Sequence, residues 1–186
     1  MIKIRCEFKS LDRNFNTFVK TIFPLEHQQK LLSTVSIILG SNDTSLETKF
    51  SAICSLLKHE INTYDWVGFY FAKAETKTLH LKASAGIPTD HTVIPFGKGI
   101  CGQVAVSNEN FVVADVQSQD NYIACNIDVK SEIVIPLFTN SNNIGQIDID
   151  SNTANAFDKT DVRLLEQVNK LISDHITFNN ISINIP

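Results

Sequence analysis

The sequence predicts an α+β domain: a mainly antiparallel sheet with helices gathered against it. Two hairpins carry this expectation. Asp65–Phe71, dense in aromatic and β-prone residues, turns at Ala74-Glu75-Thr76-Lys77 and returns as Thr78–Ser84. Glu132–Phe138 turns at Asn140-Ser141-Asn142 and returns as Asn143–Ile149. The third observation is helical apolar spacing on both sides of these runs. No internal repeat and no linker divide the 186 residues, so one domain is expected.

Each element follows from local pattern. Phe8, Leu11, Phe15, Phe18 and Val19 fall at helical spacing and predict a helix from about Leu11 to Ile22, broken by Pro24. Residues 1–25 therefore read as an N-terminal extension. Glu26–Leu39 reads as a helix stopped by Gly40, and residues 41–44 as a turn and cap cluster. A second helix runs from Ser45 to about Asn62, with Leu46, Phe50, Ile53, Leu56, Leu57 and Ile61 on one face. Cys54 lies close to that face and reads as a small core residue, whereas His59 reads as surface. Gly86–Val93 is a loop, Gly102–Val106 a short helix, Phe111–Val113 a short strand and Asp115–Ile127 irregular. Asp158 opens a helix to about Thr177, with Val162, Leu165, Val168, Leu171, Ile172 and Ile176 inward. The domain proper spans 26–178, and 179–186 form a polar tail.

Composition narrows the function classes. A hydrophobic content of 43% supports a core without covalent staples. A net charge of -4 and a pI near 5.7 argue against nucleic acid, which demands clustered Lys and Arg. No basic amphipathic run favours a membrane surface. The longest apolar run, Trp66–Ala72, is too short to span a bilayer, and the N-terminus lacks the apolar segment of a secretory signal. A cytoplasmic location is expected, where thiols stay reduced at rest, and four scattered cysteines form no small disulfide framework.

The candidate chemistry centres on Ile94–Glu132. Cys101 follows Phe96-Gly97-Lys98-Gly99-Ile100, which places a thiol near a helix N-terminus, where unpaired N–H groups favour thiolate. Cys125 lies 24 positions further on, in the irregular stretch. Two loop thiols can cycle between dithiol and disulfide, one attacking and one resolving. Without a C-x-x-C pair or short histidine spacing, no metal site is expected from Cys101, Cys125, His80 and His91. The Gly-Lys-Gly loop lacks the phosphate-loop pattern. His91 precedes Cys101 by ten positions and could reach it as a base, although nothing local supplies an oxyanion hole. Alternation puts Asp148 and Asp150 on one strand face, with Ile147 and Ile149 on the other. With Glu132 they can bind an ammonium group, or hold a proton on a carboxyl of raised pKa. Trp66 and Tyr70 share a face and suit the wall of a pocket for a small cationic or sulfur-bearing ligand.

These residues resemble one family in particular, the free methionine-(R)-sulfoxide reductases, a kind of GAF domain. The matching segments are Asp65–Tyr70, Ile94–Gly102, Asp115–Val116, Ile123–Cys125, Ser131–Leu137 and Gly145–Ser151, together with the step between the two thiols. The resemblance covers about Glu26 to Ile176. It implies a six-stranded antiparallel sheet flanked by helices, a homodimer, no bound cofactor, and reduction of free L-methionine (R)-S-oxide with thioredoxin as the external reductant. It casts Cys125 as the nucleophile, Cys101 as the resolving thiol, Trp66 and Tyr70 as walls, and Glu132, Asp148 and Asp150 as the ammonium-binding and proton-handling carboxylates. His91 stands where the family usually has a third cysteine, which leaves resolution to Cys101 or to an outside thiol. Asn126, Tyr122 and Lys82–Gly86 also depart from the family's pattern. The alternative reading is a non-catalytic GAF domain that senses a small ligand.

Overall fold

The computed structural model describes residues 11–42, 44–119 and 128–183, with residues 11–25 as backbone. Six strands form one sheet: β1 (Trp66–Lys73), β2 (Thr78–Ala85), β3 (Val93–Pro95), β4 (Phe111–Val113), β5 (Ser131–Thr139) and β6 (Asn142–Ser151). Their order is β3-β2-β1-β6-β5-β4, and every neighbouring pair is antiparallel. Both expected hairpins are present. The β5–β6 turn has Asn140 at φ 48° and Ser141 at φ 66°, the pair of positive values that a tight turn between twisted strands requires. Strand β3 was not anticipated. It pairs with β2 through only three residues, ends at Pro95 and lies on the sheet edge, where a missing N–H is tolerated.

Helix α1 spans Leu11–Gly40, α2 spans Leu46–Glu60, α3 spans Gly99–Ser107 and α4 spans Lys159–Phe178. Two begin on side-chain caps. Ser45 accepts from the Thr48 backbone N–H, and Asp158 and Asp161 form a reciprocal capping box. The expected break at Pro24 does not occur, and α1 runs through it. A proline forfeits one N–H donor, and the second half of α1 is held by packing on α2 and α4, so the helix continues past the defect.

The sheet separates two apolar clusters. On one face Phe69, Phe71, Ile147 and Ile149 pack against Phe50, Leu57, Leu165 and Ile172 from α2 and α4. Cys54 is fully buried there, and burial pushes its thiol pKa up, which makes it an inert core residue. His59 is exposed, as expected. Ile181 and Ile183, beyond the end of α4, pack against this cluster. On the other face Trp66, Tyr70, Ile94, Ile100, Cys101 and Val104 form a smaller cluster under α3. Strand alternation therefore sends the phenylalanines of β1 to the main core and its Trp and Tyr to the opposite face.

Candidate active site

The second face holds buried polar groups that a core does not explain. Glu132, Asp148 and Asp150 are 5%, 2% and 2% exposed, on the neighbouring strands β5 and β6. Register places Glu132 opposite Asp150, and Asp150 opposite Trp66. Burial raises the pKa of Glu132 far above the usual carboxylate range, and the charges of Asp148 and Asp150 raise it further. Burial also raises that of Asp150, with Asp148 and Asp65 adding to it. Asp148 is pushed up to about 7 by burial, while hydrogen bonds from Cys101 and Glu132 pull it part of the way back. At neutral pH the trio thus holds protons that exposed carboxyls would have released.

Cys101 is the third residue of α3, as the glycine pattern implied, and is 4% exposed. Its thiol donates to Asp148 Oδ2 at 3.1 Å. The helix starts where it does because Gly97 (φ 81°) and Gly99 (φ 62°) take backbone conformations that other residues resist. The Gly97 N–H then donates to the Gly102 carbonyl at 2.7 Å, closing the loop onto the first turn. This turn delivers the thiol to the carboxylates. One ligand atom each from Cys101, Glu132 and Asp148 lie within 4.8 Å of one another, close enough to share a single cation.

Trp66 and Tyr70 form the wall beside them, with ring centroids 6.3 Å apart. The Tyr70 hydroxyl donates to the His91 carbonyl at 2.8 Å, tying the loop before β3 to the sheet. Among the described residues the buried Trp66 Nε1–H has no acceptor, a rare state for an indole donor in a pocket wall. The indole lies flat across Gly68. A Cβ at that position would stand 2.1 Å from Trp66 Cη2 and 2.5 Å from Cζ3. Gly68 escaped the sequence reading, though a glycine inside a strand between two same-face aromatics marks a close approach.

Two cavities open on this face. The smaller, about 60 Å³, is lined by His91, Cys101, Glu132 and Asp148 among others. The larger, about 610 Å³, is lined by Asp65, Trp66 and Asp150, the Gly86–Thr89 loop, and Lys58 from the last turn of α2. Glu132 lines the smaller cavity and its register partner Asp150 the larger. Of the residues singled out from sequence, the structure brings together Cys101, Trp66, Tyr70, Glu132, Asp148, Asp150 and His91. Cys125 lies outside the described residues, as do Tyr122, Asn126 and Cys6.

The chain is similar to known proteins. A family model described as GAF domain matches residues 43–177. The chain is 31% identical over 134 residues to the free methionine-R-sulfoxide reductase of Escherichia coli, covering 70% of this chain and 77% of that protein. The Neisseria meningitidis free methionine-R-sulfoxide reductase, solved in complex with its substrate, superposes with a TM-score of 0.76 at 30% identity, covering 82% of this chain and 90% of that one. The Staphylococcus aureus enzyme with substrate gives 0.72 at 32% identity, covering 80% and 95%. The chain belongs to the free methionine-R-sulfoxide reductase family of GAF-domain proteins.

Proposed function

We propose that this protein reduces free L-methionine (R)-S-oxide to L-methionine by thiol chemistry, with thioredoxin returning the electrons. The observation that carries this reading is the convergence, on one buried sheet face, of a thiol at a helix start, three protonatable carboxyls and a Trp–Tyr wall. The relatives named above are free methionine-R-sulfoxide reductases, and the similarity in sequence and fold supports the same substrate here.

In the proposed reaction, the Cys125 thiolate attacks the sulfoxide sulfur. Glu132, whose raised pKa keeps its proton at neutral pH, delivers that proton to the departing oxygen. The sulfoxide sulfur gains two electrons and leaves as thioether, while Cys125 becomes sulfenic acid. Cys101 then attacks the sulfenic sulfur and water leaves, closing a disulfide. Asp148, already accepting from the Cys101 thiol and poised near pH 7, takes the thiol proton and passes it to the leaving hydroxyl, which departs as water. Thioredoxin reduces the bridge. The substrate ammonium sits against the carboxyls, and its methyl end against Trp66 and Tyr70.

The test is consumption of each epimer by the reduced protein, with dithiothreitol and with thioredoxin. Loss of the R epimer with the S epimer untouched is expected. No turnover of either epimer with either reductant contradicts the reading and favours a ligand sensor.

A proton count gives a second prediction. Binding an ammonium group stabilises ionised carboxylates, so it lowers pKa values that burial has raised. Calorimetry near pH 7 in buffers of different ionisation enthalpy is expected to show release of about one proton on binding L-methionine. Proton uptake would contradict the assignment of the trio to the ammonium.

A further inference from the structure

The larger cavity holds a cation that the reaction above does not use. Lys58 is half-buried at the end of α2, a helix that otherwise serves the opposite face of the sheet. It is the one cation among the described residues lining this cavity, which it shares with Asp65, Trp66 and Asp150. It makes no ion pair or side-chain hydrogen bond among the described residues. Asp65, which lines the same cavity, accepts from the Asn152 backbone N–H at 2.8 Å. A lysine with no ionic partner among the described residues, in a concave site whose other described charges are carboxyls, is suited to an anionic group brought by a ligand.

We propose that Lys58 receives the α-carboxylate of the substrate, so that the cavity reads both charges of a free amino acid. This rests on the reading of the site as a methionine sulfoxide pocket. The carboxyl trio takes the ammonium and Lys58 takes the carboxylate, while Trp66 lines the same cavity as an apolar wall. A methionine sulfoxide residue within a peptide has neither a free carboxylate nor a free ammonium at this distance. The same pair of contacts therefore excludes peptide-bound residues. Lys58 is a positioning residue: it acts on binding and orientation, not on the sulfur.

The probes are L-methionine sulfoxide and its carboxamide, which differ in this one charge. In the wild type the acid is expected to bind about tenfold or more tightly than the amide, by calorimetry. Lys58→Met should remove that preference and leave amide binding unchanged. Its KM for the acid should rise about tenfold with kcat within about twofold of wild type. Lys58→Arg should restore the preference. If Lys58→Met still prefers the acid tenfold, or the wild type shows no preference, the inference is overturned while the reductase reading stands. If the wild type neither binds nor turns over the sulfoxide, the reading fails and the inference with it. Because Lys58 is half-buried at a helix end, its replacement leaves the core intact. An unchanged melting temperature would confirm that the variant reports on the site.

Discussion

Asp148→Asn is expected to make the unliganded protein more stable at pH 8 and a poorer enzyme. Burial has raised this carboxyl's pKa to about 7, above the value of 3.8 it would have when exposed. The folded chain therefore holds a proton that the unfolded chain releases. Stability from this group is fully present below pH 4 and is lost as pH rises through about 7. Above that the fold carries a buried negative charge among other carboxyls, at a cost on the order of a few kcal/mol. Asparagine keeps the shape without the charge. A melting temperature several degrees above wild type is expected at pH 8, with the gap closing toward pH 4. Turnover should fall by about 100-fold, because the acceptor of the Cys101 proton is gone. A lower melting temperature at pH 8 would contradict the assignment of strain to this charge. Sites built for catalysis commonly carry such a stability penalty.

Gly68→Ala is the second large effect. The new methyl would occupy the space of the Trp66 ring, and the indole is only 6% exposed, with sheet beneath it and the Gly86 loop beside it. A Cβ at Gly86 would meet Trp66 Cδ1 at 2.8 Å, so the ring is closely backed on the Gly86 side. Overpacking of this kind costs about 1–3 kcal/mol. The larger loss is functional, since displacing the indole removes a wall of the larger cavity. A rise in KM of about 100-fold, with the protein still folded, is expected from steady-state kinetics and far-UV circular dichroism. An alanine variant with wild-type KM would show that the indole does not contact substrate.

How legible was this in the sequence? Strand alternation is a period-two rule, so the facing of Trp66, Tyr70, Asp148 and Asp150 followed from spacing alone, and the structure bears it out. The placement of Cys101 at a helix start followed from the glycines around it. Other features depend on contacts between distant residues. Lys58 sits on a helix whose apolar face points elsewhere, so its pattern reads as solvent-facing; only the closeness of the α2 end to the Gly86 loop puts it in a cavity. Strand β3 is three residues long and owes its existence to pairing with β2, not to propensity. The continuation of α1 through Pro24 reflects tertiary packing overriding a local breaker. The pKa elevation of Glu132 required knowing that two strands bring three carboxyls together away from water.

The central claim is that the sulfoxide oxygen is removed by Cys125 and that Cys101 closes the bridge. It is tested most directly by mixing the fully reduced protein with one equivalent of free methionine-(R)-sulfoxide, without external reductant. The products are then quenched with a thiol-blocking reagent and mapped by mass spectrometry. The account predicts one methionine per chain and a disulfide joining Cys101 to Cys125, with Cys54 still blocked as a thiol. Methionine formed while both Cys101 and Cys125 remain alkylatable would contradict it.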